Sequence, residues 1–328
     1  MSFDFNIKEQ SYITDKYDSS NLILNISGKD VNYSIINSLR KVCIDQIPIY
    51  AFDRSKIKII RKNRIYDNTD MELRLSQLPI KRINHNITLL PLKYYKNLNF
   101  NDRIEKHPDD NYEIEFYLNV KNSGPEKVRY VTTNDLRISI NNKIIDNNTM
   151  YKGKEPITLI QLCPGDEFEC SMKGVLAVGE LDGIFNASNT YYEEITENSY
   201  IFNIESNGQL SEYNLLLKGI DIIIEKIKII KENIIQNQYS KILTENNSIK
   251  IEIKNEDHTC GGPINYILQN LPEVIFSGIS KPNFMEKNIL LSVCVDKKYV
   301  LDDVLNKGFE KTIELFNYIK KKVLILSK

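Results

Sequence analysis

Three histidines, His85, His107 and His258, are the side chains in this chain best suited to metal binding or proton transfer. No two of them have metal-ligand spacing, and the separation of Cys163 from Cys170 does not match a zinc knuckle. His85 and His107 fall in polar loops, where we expect no chemical role. His258 lies at a predicted strand-to-helix junction, where a histidine more often stabilises a turn. We therefore predict that the chain holds no metal or cofactor of its own.

Loops that bind phosphate groups would indicate an enzyme. The chain has neither a Gly-x4-Gly-Lys-Ser/Thr loop nor a Gly-x-Gly-x-x-Gly loop. The glycine-lysine-acid triplets at residues 28–30 and 153–155 are predicted turns. A free-standing enzyme is thus not the function that the motifs favour.

Composition sets further bounds. The chain has 328 residues, with 43 basic and 44 acidic side chains, so its formal net charge of -1 argues against a surface that binds nucleic acid throughout. A hydrophobic fraction of 41% and this length predict two or three domains with their own cores. The five cysteines are scattered and odd in number, and the N-terminus has no signal-peptide pattern, so we expect an intracellular protein.

Two polar surfaces leave alternatives open. Lys56 and Lys58 alternate with Ile57 and Ile59 in the basic segment 54–64, which predicts a strand with one basic face. Such a face could bind nucleic acid, or its lysines could block unwanted pairing at a sheet edge. The second surface is the polar face of a helix predicted over residues 30–47, which is either solvated or an interface. It carries Asn37, Arg40 and Lys41.

The element that organises the chain is a long helix predicted over residues 213–239. It has a second apolar row on nearly the opposite side, at Leu215, Ile222 and Ile229, and two such faces need two packing partners. The charged residues Asp221 and Lys226 are among those that argue against a membrane span. Its main apolar stripe consists of Leu216, Ile220, Ile223, Ile227, Ile230 and Ile234.

The other elements follow from alternation and turn residues. The helix over 30–47 is predicted to begin at a cap by Asp30 and to end before Pro48. A short helix follows Asn68 and closes at Leu78-Pro79. Further strands are predicted at residues 22–26, 112–120, 168–178, 249–253, 274–279 and 289–295, and a helix close to Pro263.

The same order of elements occurs twice, namely strand, helix, proline break, strands and long helix. The second copy ends in a helix with Leu305, Phe309, Thr312, Phe316, Ile319 and Val323 on one side. Two such halves can bury their long helices against each other, with Phe309, Phe316 and Ile319 facing the first stripe. The predicted domains are a lead-in over 1–20, a first half over 21–82 and 200–236, an inserted β-rich domain over 83–199, a linker over 237–247 and a second half over 248–328.

The motifs of the first half resemble those of the α-like assembly subunits of DNA-directed RNA polymerases. These subunits are bacterial α, archaeal D and the third-largest subunit of polymerase II. The helix segment 37–42 followed by Ile47-Pro48 is similar to their first signature, and Arg74 with Leu78-Pro79 is similar to their second. Leu73 replaces the usual histidine, and the motif that usually ends the inserted domain is degraded at residues 177–184.

The second half resembles the small partner subunit, archaeal L or the eleventh subunit of polymerase II. Cys260, Gly262 and Asn283 depart from the usual leucine, asparagine and histidine. The matching residues, to which we assign structural roles, are Glu256, His258, Thr259, Gly261, Phe276, Gly278 and Pro282.

The resemblance implies an α+β fold of two dimerisation halves packed through long helices, plus an inserted β-rich domain. It implies a non-catalytic assembly subunit in which an intramolecular heterodimer nucleates binding of the two large catalytic subunits. The three-aspartate metal loop of a catalytic subunit is missing, so catalytic magnesium is expected in the large subunits. The large-subunit interface is predicted to consist of Asn37, Arg40, Lys41, Arg74, Leu78 and Pro79.

Further expectations concern partners and source. A small subunit equivalent to the tenth of polymerase II is an expected partner, DNA is reached through the complex, and no membrane is involved. Fusion of both subunits in one chain is the arrangement of nucleocytoplasmic large DNA viruses, which implies the virion and host cytoplasm, with the nucleus as an alternative. The rival hypothesis is a stand-alone nucleic-acid-binding protein that uses residues 54–64.

Overall fold

The computed structural model describes residues 3–14, 19–61, 66–95, 106–124, 127–152, 155–244, 247–283 and 285–327. The helices are α1 (Tyr33–Asp45), α2 (Asn68–Ser76), α3 (Asn147–Met150), α4 (Glu212–Ile235), α5 (His258–Gln269) and α6 (Leu301–Leu326). The strands are β1 (Asn6–Thr14), β2 (Ser20–Ser27), β3 (Ile49–Ala51), β4 (Ile57–Arg61), β5 (Ile114–Lys121), β6 (Arg129–Thr132), β7 (Arg137–Ile140), β8 (Lys143–Ile145), β9 (Thr158–Leu162), β10 (Glu167–Lys173), β11 (Val175–Ala177), β12 (Ser188–Thr196), β13 (Ser199–Ser206), β14 (Ser240–Thr244), β15 (Ser248–Lys254), β16 (Val274–Ser280) and β17 (Asn288–Val295).

The first half is a four-stranded antiparallel sheet in the order β1-β2-β13-β12, with α1 and α4 packed on it. The alternating apolar residues of β2 bury Leu22, Leu24 and Ile26 on the helix side. The prediction of an irregular lead-in over residues 1–20 is wrong for its described part, because β1 pairs with β2 along its length. The prediction that the insertion extends to residue 199 also needs correction, since β12 belongs to this sheet.

The inserted domain contains a five-stranded sheet in the order β4-β10-β5-β7-β8 and the two-stranded sheet β6-β9. Two segments of the predicted first half take part in it. Strand β4 pairs with β10, and β3 pairs with β11, so the insertion is joined to the first half by two strand pairings, both formed by the segment between α1 and α2.

The second half is a four-stranded antiparallel sheet in the order β14-β15-β17-β16, covered by α5 and α6. Strand β14 lies inside the predicted linker of residues 237–247. It pairs with β15, so the connection between the halves shortens to residues 236–239. Asn237 there has a φ of 55°, a turn conformation that ends α4 before the predicted Tyr239.

Helices α1 and α5 begin at residues other than those predicted. The cap of α1 is Asn32, whose Oδ1 accepts from the Ser34 N–H at 2.8 Å. Asp30 instead accepts a hydrogen bond from the Asp4 N–H at 2.7 Å and ties β1 to the loop. Helix α5 begins at His258, ahead of the predicted Pro263, which lies inside it.

Helices α4 and α6 pack against each other, and α1 packs against α5. Ion pairs join Asp221 to Lys320 at 2.6 Å and Lys231 to Glu310 at 2.9 Å. The residue numbers rise along α4 while they fall along α6, so the two helices run antiparallel. The predicted α+β architecture of two halves packed through long helices, with an inserted β-rich domain, is confirmed.

Candidate subunit interfaces

The long helices form the interior of the molecule. The stripe on α4 and its counterparts on α6 are buried at every predicted interface position: Leu216, Ile220, Ile223, Ile227, Ile230, Ile234, Phe309, Phe316 and Ile319. The second row of α4 differs, because Leu215 and Ile222 are buried while Ile229 is 40% exposed. The helix therefore needs a second partner along its N-terminal part, where α1 packs against it.

The polar face of α1 is only half-buried and carries Asn37 and Arg40. The Asn37 Oδ1 accepts from Arg40 Nε at 3.1 Å and from Arg40 Nη2 at 2.9 Å. This pair on one helix face holds the planar guanidinium in a fixed direction, which suits it to recognise carboxylate or carbonyl oxygens of another chain.

Lys41, predicted to contact a large subunit, has a different neighbour. Its Nζ donates to Asp257 Oδ2 at 2.9 Å, so it joins α1 to the cap of α5 in the second half. Burial alone would raise the pKa of Asp257, but hydrogen bonds from Lys41 and Thr259 lower the pKa of this carboxyl well below its usual range. Lys41 is therefore paired within the chain. The prediction missed this contact because helical spacing shows which residues share a face, but not which residues of another element lie opposite that face.

The other three predicted contact residues lie at the end of α2. Arg74 is exposed, and its Nη2 lies 3.4 Å from the Thr158 carbonyl oxygen. The Leu78 side chain is buried in the core, so it cannot contact a partner as predicted. Pro79 is half-buried, and its carbonyl oxygen accepts from the Tyr151 hydroxyl at 2.8 Å. Leu78 and Pro79 line a cavity of about 670 Å³ between α2 and the insertion.

The motif residues of the second half divide into two groups. Glu256 is partly buried just before α5, Thr259 and Gly261 are buried in its first turn, and a Cβ on Gly261 would meet Ile289 Cδ1 at 2.5 Å. This close approach explains a glycine in the helix interior. By contrast, His258, Phe276 and Pro282 are exposed, and a Cβ on Gly278 would meet the Phe276 ring at 2.9 Å.

Sequence reasoning missed the environment of His85, which we placed in a polar loop without a role. The side chain is 4% exposed, and its Nε2 donates to the Pro48 carbonyl oxygen at 2.9 Å. Lys218 Nζ from α4 donates to the carbonyl oxygens of His85 and Ile87. Burial and the nearby ammonium lower the pKa of His85 to about 4. No signal in the sequence pairs residues so far apart.

The basic strand is neutralised by ion pairs at one end. Arg61 at its end forms ion pairs with Glu167 at 3.1 Å and with Glu169 at 3.2 Å. Residues 62–65 of the segment lie outside the described residues. Within the described segments, no group of three or more His, Cys, Asp or Glu side chains could hold a metal ion, and no helix is long and apolar enough to cross a membrane.

Comparison with known proteins bears on this two-half architecture. Residues 27–227 match the family described as the RNA polymerase Rpb3/Rpb11 dimerisation domain, and residues 248–322 match a second family of the same description. The chain belongs to the RNA polymerase Rpb3/Rpb11 dimerisation-domain family. One match spans α1, the insertion and most of α4, and the other spans most of the second half.

Relatives of this Rpb3/Rpb11 chain are found in a virus and in eukaryotes. A protein of Acanthamoeba polyphaga mimivirus, provisionally named as a DNA-directed RNA polymerase subunit, is 27% identical over 293 residues, which cover 83% of this chain and 81% of the relative. A match of that extent includes both halves. The RPAC2 subunit of RNA polymerases I and III from Schizosaccharomyces pombe is 32% identical over 75 residues, 23% of this chain and 60% of that protein.

These similarities support two fused α-like subunits of giant-virus type. The chain is an assembly subunit of a DNA-directed RNA polymerase, and it associates with other subunits of that enzyme. Nothing in the comparisons favours the stand-alone nucleic-acid-binding protein.

Proposed function

We propose that this chain supplies both halves of the α-like platform on which the two large catalytic subunits of the polymerase assemble. The observation that carries the proposal is the packing of α4 against α6, which joins two Rpb3/Rpb11 domains within one polypeptide. A platform that is already dimeric needs no encounter between separate subunits before the large subunits bind.

The short connection strengthens this argument. Residues 236–239 separate α4 from β14, so the halves are held at an effective concentration on the order of millimolar. Exchange with free subunits of the host would have to compete with this intramolecular association. Fusion therefore gives the polymerase a platform of fixed composition.

Catalysis is assigned to the partners. The chain supplies no catalytic residue in this proposal, the magnesium ions belong to the large subunits, and DNA is reached through the assembled enzyme. A small subunit equivalent to the tenth of polymerase II completes the partner set. The complex would act in the virion and the host cytoplasm.

The contact surface that we propose for a large subunit is centred on Arg40. The guanidinium is half-buried and held by Asn37, so little side-chain entropy is lost when it binds a second chain. Lys41 and Leu78 are left out of this surface, because one is paired with Asp257 and the other is buried.

We expect Arg40→Ala to leave the chain folded while it reduces co-purification of the large subunits about tenfold, the effect of losing roughly 1.4 kcal/mol of binding. The measurement is quantitative mass spectrometry of material captured on the tagged chain, with circular dichroism to verify folding. Arg137→Ala, on the exposed part of β7 in the inserted domain, is the matched control. Equal recovery with Arg40→Ala and with the control would contradict the assignment.

A further inference from the structure

The two long helices carry the same pattern of charged and small residues. When Gly219 of α4 is aligned with Gly308 of α6, Asp221 is aligned with Glu310 and Lys231 with Lys320. This alignment also superimposes the two apolar stripes. The glycines have equivalent neighbours, because Gly219 lies against Cys43 of α1 and Gly308 lies against Leu268 of α5. The halves are therefore related by an approximate twofold axis.

This relation makes two of the ion pairs equivalent. Asp221–Lys320 and Lys231–Glu310 join an acidic position on one helix to the basic position on the other, once in each direction. In a twofold interface, residue i contacts j and j contacts i. A pair of identical halves could form both contacts as well, so these ion pairs do not select between like and unlike halves.

A third ion pair breaks the symmetry. Lys226 of α4 lies 3.4 Å from Glu256, just before α5, and both side chains are only 13% exposed. Aligning α4 with α6 takes Lys226 to Leu315. Aligning the helix caps Asn32 and Asp257 takes Glu256 to Val31. Leu315 and Val31 are both buried apolar residues, so one end of the interface is charged and the equivalent end is apolar.

We propose that the Lys226–Glu256 pair makes the interface specific for unlike halves, so that like halves of two copies of the chain do not pair with each other. Two first halves would place Lys226 against Val31, and two second halves would place Glu256 against Leu315. Each would bury a charge without its ion-pair partner, and only a more distant opposite charge of the same half would remain, Glu180 for Lys226 and Lys287 for Glu256, so like pairs are disfavoured. Burial raises the pKa of Glu256, and the Lys226 ammonium opposes that rise.

Two neighbouring contacts also join unlike halves and have no equivalent between like halves. Lys41 pairs with Asp257, and the equivalent positions, Tyr266 and Asn32, carry no charge. Glu180, which lies in the degraded motif of the inserted domain, pairs with Lys287 of the second half at 2.7 Å. The second half has no insertion and so no equivalent of Glu180. The motif thereby gains a role as a further heterotypic contact.

The test uses the full chain with a protease site inserted after Asn237 and cleaved after folding, so that the two halves are free to exchange. Native mass spectrometry then counts like and unlike pairs. For the unsubstituted halves we expect unlike pairs to exceed like pairs about 100-fold or more. For K226L/E256V, which copies the apolar end, we expect the share of like pairs to rise at least tenfold, while Lys41–Asp257 and Glu180–Lys287 keep a smaller preference for unlike pairs.

The control is K231L/E310L, which removes a symmetric pair and should keep the preference for unlike pairs. If K226L/E256V keeps that preference undiminished, or if the unsubstituted halves form like pairs freely, the proposal is wrong. Should K226L/E256V fail to fold, nicked K226E and E256K chains can be mixed instead. We then expect the K226E first half to choose the E256K second half, whereas a statistical mixture of pairs would overturn the proposal.

Discussion

At the scale of single residues, His85 and Lys218 show how a connecting segment is held against α4. The Lys218 ammonium is bound by two carbonyl oxygens of that segment, and burial lowers the pKa of Lys218 to about 8. The imidazole of His85 stays neutral in the fold, because burial and the adjacent cation lower its pKa to about 4. Its Nε2–H donates to the carbonyl oxygen of Pro48, which follows α1.

The lowered pKa predicts a pH dependence of stability. Unfolded His85 takes up a proton near pH 6.5, whereas folded His85 does so only near pH 4, so stability is complete above pH 6.5 and is lost as pH falls through that window. Between pH 7 and pH 5 this residue should account for a loss of about 2 kcal/mol. Urea unfolding at both values should show a larger loss for the unsubstituted chain than for His85→Gln. Equal losses would contradict the assignment.

At the scale of elements, periodicity predicted the long helices well. The stripes on α4 and α6 follow helical spacing over several turns, and a pattern that long is hard to produce by chance. The strands β1 and β14 were missed because each lies at a sheet edge and is mostly exposed, so its sequence shows no regular alternation of buried apolar residues. The contacts between the halves could not be predicted from the sequence, since the partners of Lys41 and Lys226 lie in the other half of the chain.

The equivalent glycines of the long helices allow a matched prediction. A Cβ at position 308 would lie 2.4 Å from Leu268 Cδ2 in the core, whereas one at position 219 would lie 3.2 Å from Cys43 Sγ. We expect Gly308→Ala to lower the free energy of unfolding by about 1–3 kcal/mol, despite the better helix propensity of alanine. Gly219→Ala should cost less. Chemical denaturation of both variants checks this, and a more stable Gly308→Ala chain would contradict the packing.

At the scale of the whole molecule, two Rpb3/Rpb11 domains share one interior. Helices α1, α4, α5 and α6 lie between two antiparallel sheets, and the inserted domain is attached to the first half by β3 and β4. The resulting body leaves the polar face of α1 at the surface while the apolar stripes are covered. Such a body has the rigidity that an assembly platform needs, because its two halves cannot separate without exposing their long helices.

The most direct test of this account is to purify the tagged chain from cells in which its polymerase assembles and to identify what co-elutes in stoichiometric amounts. We predict one copy of this chain with one copy each of two much larger chains, in a complex that persists after nuclease treatment. Recovery of the chain alone, or of a salt-sensitive complex with nucleic acid and no large subunit, would contradict it.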